Sequence, residues 1–192
     1  MNNSQYLDGI KKQFLYYKSL GEKTIDQLPQ EKLFWQYNND SNSIAVIVKH
    51  LWGNMMSRWT DFLTSDGEKE WRKRDAEFES DIRTKDELLS KWQEGWDCLF
   101  EALASINEAN FNTPVYIRNI EHSITDAINR QLAHYSYHIG QIVFLGKMIA
   151  GTKWESLSIP KGKSKDYNQK RFSVPKHKAH YTDKLMDKTK DS

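Results

Sequence analysis

Apolar residues recur along most of this chain at spacings of three and four, the period of helices that bury one face. Between residues 4 and 28 they fall at Leu7, Ile10, Phe14, Tyr17 and Leu28, and Pro29 closes this first helix. Residues 30–42 read as a connector whose Leu33, Phe34 and Trp35 pack down and whose NNDSN tail is turn chemistry. A second helix is expected from about Ser43 to Leu63, capped by Asn42 or Ser43. One side carries Ile44, Val48, Met55, Trp59 and Phe62; the other carries Val46, Ile47, His50, Asn54 and Ser57. Residues 64–80 are charged and loop-like, with Trp71 and Phe78 holding the loop on the body. A third helix starts at Thr84, with Glu87 completing a capping-box signature. Its apolar positions are Leu88, Trp92, Trp96, Leu99, Leu103 and Ile106. Residues 110–122 break the helical pattern, and Val115, Tyr116, Ile117 and Ile120 predict a short strand or extended crossover. The fourth helix runs from Ser123 to Ala150, with Asp126 three residues after its cap and Gly151 as its stop signal. Four long helices with short to medium connections predict an all-α, antiparallel four-helix bundle, with that crossover before the last long helix.

The fourth helix organises the chain. His134 and His138 lie four residues apart, so one helical face presents both rings. Arg130 stands one turn before His134 and Gln141 three residues after His138, making a polar stripe on a mostly apolar helix. Leu132, Ile139 and Val143 are expected on the other side, beside the small residues Ala133, Ser136 and Gly140. A helix apolar on nearly all sides is buried on nearly all sides, so the stripe faces a bundle interior or a pocket. In the bundle, His50 of the second helix can meet His134 and His138. Three neutral imidazoles would hold one divalent ion and leave a coordination position open. The alternative is three buried histidines, each bonded to a carbonyl, although burying several polar rings costs free energy. Imidazole suits zinc, nickel, iron and copper alike, so ligand type does not choose the ion. Asn54, Arg130 and Gln141 are candidates for contacts to the ligands or to a substrate.

Composition narrows the class. At 192 residues the chain is long enough for one sizeable core, and seven Trp, nine Tyr and eight Phe supply bulky apolar area. Four prolines and nine glycines favour helices over strands. The net charge of +2 gives no global argument for nucleic acid. The single cysteine, Cys98, excludes an intrachain disulfide and suits a reducing cytoplasm. The N-terminal MNNSQYLDGIKK has no apolar signal core, and no apolar run approaches a membrane span. From Pro160 to Ser192 ten Lys/Arg face four Asp/Glu, so a domain over 1–175 is expected to end in a polar basic tail over 176–192, mobile or loosely docked.

Other chemistry-bearing residues have plainer readings. His122 reads as a helix-start or loop histidine, and His177 and His180 as solvated tail residues. Cys98, between Trp96 and Leu99, reads as a buried inert thiol. Arg72, Arg74, Asp75 and Glu77 could line a pocket, but a solvated charge run is the reading adopted.

The segments SNSIAVIVKHLWGNMMSRWTDFL, NRQLAHYSYHIGQIV and WESLSIPKGKSKDYN together resemble the DinB/YfiT-like superfamily, in particular a subgroup of uncharacterised bacterial DinB-like domains, over about residues 5–170. The resemblance implies a four-helix bundle, often a homodimer, with a divalent metal ion on three histidines. His50 matches the second-helix ligand, and His134 and His138 match the fourth-helix pair. Zinc or nickel is the expected ion, with iron or manganese next. The better understood relatives are thiol S-transferases using low-molecular-weight thiols such as bacillithiol or mycothiol, and some isomerases. The functional expectation is therefore a metal-dependent transferase, with a hydrolase or a non-catalytic, stress-related metal-binding protein as rivals. A small-molecule substrate is expected, with no nucleic-acid or membrane partner.

Overall fold

The computed structural model describes residues 3–183 and is mostly helical, with one small two-stranded sheet. Helix α1 spans Asn3–Asp26, α2 Ile44–Trp59, α3 Lys85–Ser105, α4 Ile124–Ala150 and α5 Ser164–Phe172. Strands β1 (Val115–Ile117) and β2 (Ile120–His122) form an antiparallel hairpin. The caps read from the sequence are in place. The hydroxyl oxygens of Ser43, Thr84 and Ser123 accept from the N–H groups of Val46, Glu87 and Asp126, and α4 ends at Gly151, whose φ of 57° suits glycine.

The core gathers where the four long helices meet. Phe14 of α1, Trp59 of α2, Trp96 of α3 and Tyr135 of α4 bring one aromatic ring each to a common cluster. Phe14 stands 6.0–6.4 Å from the other three centroids, and Trp96 lies 6.1 Å from Tyr135. All four are essentially sealed from solvent, and full burial of a Phe-sized side chain is worth about 1.5–3 kcal/mol. Helix α2 packs chiefly on α3 and α1 on α4, while α2–α4 and α1–α3 contacts join the two pairs.

Helix α2 is buried on all sides: only Trp52 and Met56 are not. The helix stops at Trp59, a turn earlier than the sequence pattern suggests, because Asp61 adopts a left-handed conformation (φ 49°). Phe62 still reaches the core from the turn that follows. The 110–122 crossover contains the hairpin, whose two-residue turn Arg118–Asn119 has φ of 56° and 60°, a mirror-image turn matched to strand twist.

The core stripe of α4 is Ile124, Ala127, Ile128, Gln131, Tyr135, Ile139, Ile142 and Gly146. Ile139 therefore points into its own chain at 0% exposure, correcting the expectation that it faces away from the protein. The histidines lie at the edge of this stripe, half-buried. The outward face carries Ala133, Tyr137, Gly140, Phe144 and Met148. Beyond Gly151 lies the short helix α5, which no apolar spacing in the sequence predicts because it buries none of its residues. Within the expected tail, residues up to 183 return to α1: Thr182 is buried, Tyr181 packs on Tyr16 at 6.2 Å, and Asp183 pairs with Lys12 at 2.7 Å. The rest of the expected tail, 184–192, lies outside the described residues. No helix among the described residues is long and apolar enough to cross a membrane.

Candidate metal centre

Helix α2 delivers His50, 4% exposed, opposite His134 and His138 of α4. Nε2 of His134 lies 3.3 Å from Nε2 of His50 and 3.1 Å from Nε2 of His138. One nitrogen from each ring can be chosen so that all three fall within 4.8 Å of one another, a group that could hold a metal ion. Nitrogens bound at about 2.0–2.1 Å to a tetrahedral ion stand about 3.3 Å apart, close to the two Nε2 separations here.

The second nitrogen of each ring shows which form it takes. His50 Nδ1 is 2.9 Å from a carboxylate oxygen of Glu77, and a carboxylate only accepts, so Nδ1 carries the proton. His138 Nδ1 is 2.9 Å from Oε1 of Gln141 and likewise donates. With Nδ1 as the donor in both rings, the neutral form that a metal ligand takes turns the unprotonated Nε2 lone pairs of His50 and His138 towards His134. A proton on His134 Nε2 can be directed well at only one of them, whereas a cation satisfies all three nitrogens together. The donor set fits a divalent ion that favours imidazole.

The electrostatics favour the ligand form. Burial, reinforced by His138, His50, Arg58 and Arg72, lowers the His134 pKa to about 3. Burial also lowers that of His138, outweighing the opposing hydrogen bond to Gln141. Both rings are neutral at pH 7, as metal ligands must be.

Four further side chains complete the surroundings, in places that spacing along the chain does not disclose. Glu77 and Arg72, expected from the sequence to lie in a solvated run, are buried: Arg72 Nε donates to Glu77 Oε1 at 2.7 Å and its Nη2 to Oε2 at 3.0 Å. Burial alone would raise the Glu77 carboxyl, but hydrogen bonds from His50 and Arg72 prevail and hold it below the usual range. Phe78 stacks on His50 at 4.9 Å, and Tyr137 stands 5.0 Å from His138 at the exposed edge. Of the two aromatic residues expected to hold this loop on the body, Phe78 stacks on His50 but Trp71 is left 57% exposed, and polar contacts from Lys49 and Arg72 fasten the loop instead.

The three secondary candidates separate. Gln141 touches His138 directly. Asn54 lies one layer in, where its Oδ1 accepts from Tyr135 OH at 3.0 Å, and Tyr135 OH accepts from Trp59 Nε1 at 2.9 Å. Arg130 is exposed and reaches His122 Nε2 at 3.3 Å rather than the three histidines. His122 sits in β2, with Nδ1 on the carbonyl of Ile120. His177 and His180 make local contacts in the tail. Cys98 is half-buried, burial raises its pKa, and its sulfur lies 3.6 Å from Thr60 Oγ1, in keeping with an unreactive thiol. Cys98 does line a separate open cleft between the end of α2 and α3, with Asp61, Asp97 and Glu101, but none of the three histidines faces that cleft.

Neither a curated protein nor a solved structure matches the chain. A family model described as "Protein of unknown function (DUF1572)" matches residues 2–163. The match takes in all three histidines and the 64–80 loop, and stops just before α5. By that match over most of its length, the chain belongs to the DUF1572 family of proteins of unknown function.

Proposed function

We propose that this protein is a divalent-metal-dependent enzyme of the DinB/YfiT-like kind. In this reading its four long helices form that superfamily's four-helix bundle, and His50, His134 and His138 hold one ion. Zinc or nickel is the first choice and iron or manganese the next. The observation that carries the reading is the convergence of three Nε2 atoms, two of them bare lone pairs. Three protein ligands leave a fourth position for substrate or water, the pattern of a catalytic rather than a structural ion. The ion would supply Lewis acidity, favouring the deprotonated form of a thiol or a water. Burial keeps His134 and His138 neutral, and the chain's own residues orient the rings, Gln141 holding His138 through Nδ1. His134 and His138 are half-buried beside the exposed Tyr137, the side from which a small molecule would approach.

Thiol S-transfer with a low-molecular-weight thiol is the preferred reaction, in a cytoplasmic setting that suits the lone Cys98. A metal-dependent hydrolase and a non-catalytic metal-binding protein are the rivals. Metal analysis of the purified protein, followed by a panel of bacillithiol, glutathione, cysteine and coenzyme A with electrophilic acceptors, separates them. The expected result is about one ion per chain, with transfer abolished by chelator and by His134→Ala. Absence of metal under every loading condition would remove the metal reading. Transfer at equal rates in chelator would remove metal activation of the thiol. A bound ion with a silent panel would leave the rivals. We also propose a homodimer, through the outward face of α4 rather than the Ile139 side.

A further inference from the structure

The 64–80 loop reaches the metal centre at one point. Glu77 is 5% exposed although it lies in a loop of charged residues. Its two oxygens are held from one side by the guanidinium of Arg72, whose side chain is 2% exposed, and from the other by His50 Nδ1. The carboxylate sits where a side chain of α2 would otherwise project. A Cβ on Gly53 would lie 2.5 Å from Glu77 Oε1 and 2.8 Å from its Cδ, closer than real contacts allow. Glycine inside a helix is unfavourable relative to alanine, so its presence in the middle of α2 needs a reason, and the seat for Glu77 provides one. The loop is pinned on both flanks of Glu77. Lys49, next to His50, donates to the carbonyls of Ala76 and Glu79 and pairs with Asp81 at 2.6 Å, and Phe78 covers the His50 ring.

We propose that Glu77 is a positioning residue for the metal centre: seated in the notch left by Gly53 and clamped by Arg72, it fixes His50 in the tautomer that turns a bare Nε2 towards His134 and His138. The role follows from the inventory of donors. Neutral imidazole has one N–H, and an acceptor that cannot donate, placed at Nδ1, keeps it there. Arg72 donates to both carboxylate oxygens, so together with His50 it fills three of the roughly four acceptor sites and fixes the orientation of the carboxylate. A carboxylate behind a ligating histidine also raises the basicity of the ring and orients it, and loss of such a partner typically weakens metal affinity 10–100-fold. An ion pair serving only to fasten the loop would leave the tautomer of His50 and the metal affinity untouched.

The effect on affinity rests on the three-histidine metal reading; the tautomer does not. The full chain is therefore examined first without metal, by nitrogen-15 NMR of the histidine side chains, where His50 is expected with its proton on Nδ1. Zinc affinity is then measured by chelator competition for wild type, Glu77→Gln, Glu77→Ala, Gly53→Ala and the Gly53→Ala/Glu77→Ala double variant. Glutamine cannot accept from both Arg72 and His50 as the carboxylate does, and its amide, turned towards His50, would move the ring proton to Nε2. The zinc dissociation constant should rise about 10–100-fold in each Glu77 variant. Gly53→Ala should shift it in the same direction although it touches none of the three histidines. In the Glu77→Ala background, Gly53→Ala should add nothing, the signature of two changes acting through one carboxylate. A wild-type His50 protonated on Nε2 would overturn the proposal. So would a zinc affinity within twofold of wild type in both Glu77→Gln and Gly53→Ala. If wild type takes up no zinc, the metal reading fails, and the tautomer of the metal-free protein still decides the role of Glu77.

Discussion

His134 stands between two lone pairs, and its environment makes protonation expensive. An ordinary histidine takes up its proton near pH 6.5, whereas in this fold His134 does so only near 3, and His138 is shifted in the same direction. Between those two pH values the unfolded chain binds a proton that the folded chain refuses. Stability must then rise with pH across the window, being complete above about 6.5 and lost progressively as pH falls towards 3. The metal-free protein should therefore unfold at lower urea as pH falls from 7 to about 5.5, a range in which the carboxylates stay almost wholly ionised. His134→Asn, which cannot titrate, should flatten that slope; an equal slope in the variant would assign the acid sensitivity to other groups. In the zinc-loaded protein His134→Ala should abolish binding and with it the rise in melting temperature that zinc gives wild type.

At the scale of elements, the β1–β2 hairpin and the 64–80 loop are tied together and jointly carry Glu77 to α2. Asp66 is the knot. Its oxygens accept from the backbone N–H groups of Glu68, Arg118 and Asn119 at 2.7–2.9 Å, and Gly67 N–H donates to the Tyr116 carbonyl at 2.8 Å. Burial opposes the charge on Asp66, but those three backbone hydrogen bonds prevail and hold its pKa below the ordinary carboxyl range. Asp66→Ala removes all three acceptors, and each hydrogen bond to a charged group contributes about 1.5–3 kcal/mol when well formed and shielded. Asp66 is only half-buried, so a loss of about 1–3 kcal/mol is expected in urea unfolding. The change should weaken protection of the Arg118 and Asn119 amides from hydrogen exchange while leaving α3 protected. The parts that were legible in the sequence and those that were not follow from the same contrast. Caps at Ser43, Thr84 and Ser123 and the periodicity of Leu88, Trp92 and Trp96 are local signals, so the helices could be read with their starts. His50, His134 and His138 could be paired because two helical faces must meet in a bundle. Glu77 and Arg72 could not, because a loop has no periodicity to say which charges turn inward, and Gly53 discloses its reason only once Glu77 is beside it.

At the scale of the whole molecule, among the described residues α4 is the one long helix that keeps a row of large apolar side chains in solvent. Tyr137 and Phe144 are each 64% exposed and Met148 48%. They share a face with Ala133 and Gly140, and a Cβ added at Gly140 would meet nothing within 4 Å. Positions 133, 137, 140 and 144 follow a four-three-four spacing, the stripe along which two helices meet lengthwise. The stripe alternates small with large about Gly140. A copy of α4 related by a twofold axis near Gly140 would run antiparallel, setting Tyr137 of one chain beside Phe144 of the other, with the two glycines allowing close approach. A twofold contact needs this kind of self-complementary surface, and such dimers are the commonest oligomers. The contact would also cover Tyr137, which stands beside His138, so assembly would narrow the approach to the histidines. Ile139, fully buried in its own chain, is the wrong place to test this, since a charge there would unfold the core. Phe144→Glu changes only an exposed side chain. Light scattering should find wild type at twice the chain mass and Phe144→Glu at the chain mass, with an unchanged helical circular dichroism spectrum and zinc still bound. A wild-type monomer at micromolar concentration, or a dimer indifferent to the charge at 144, would remove this face as the contact.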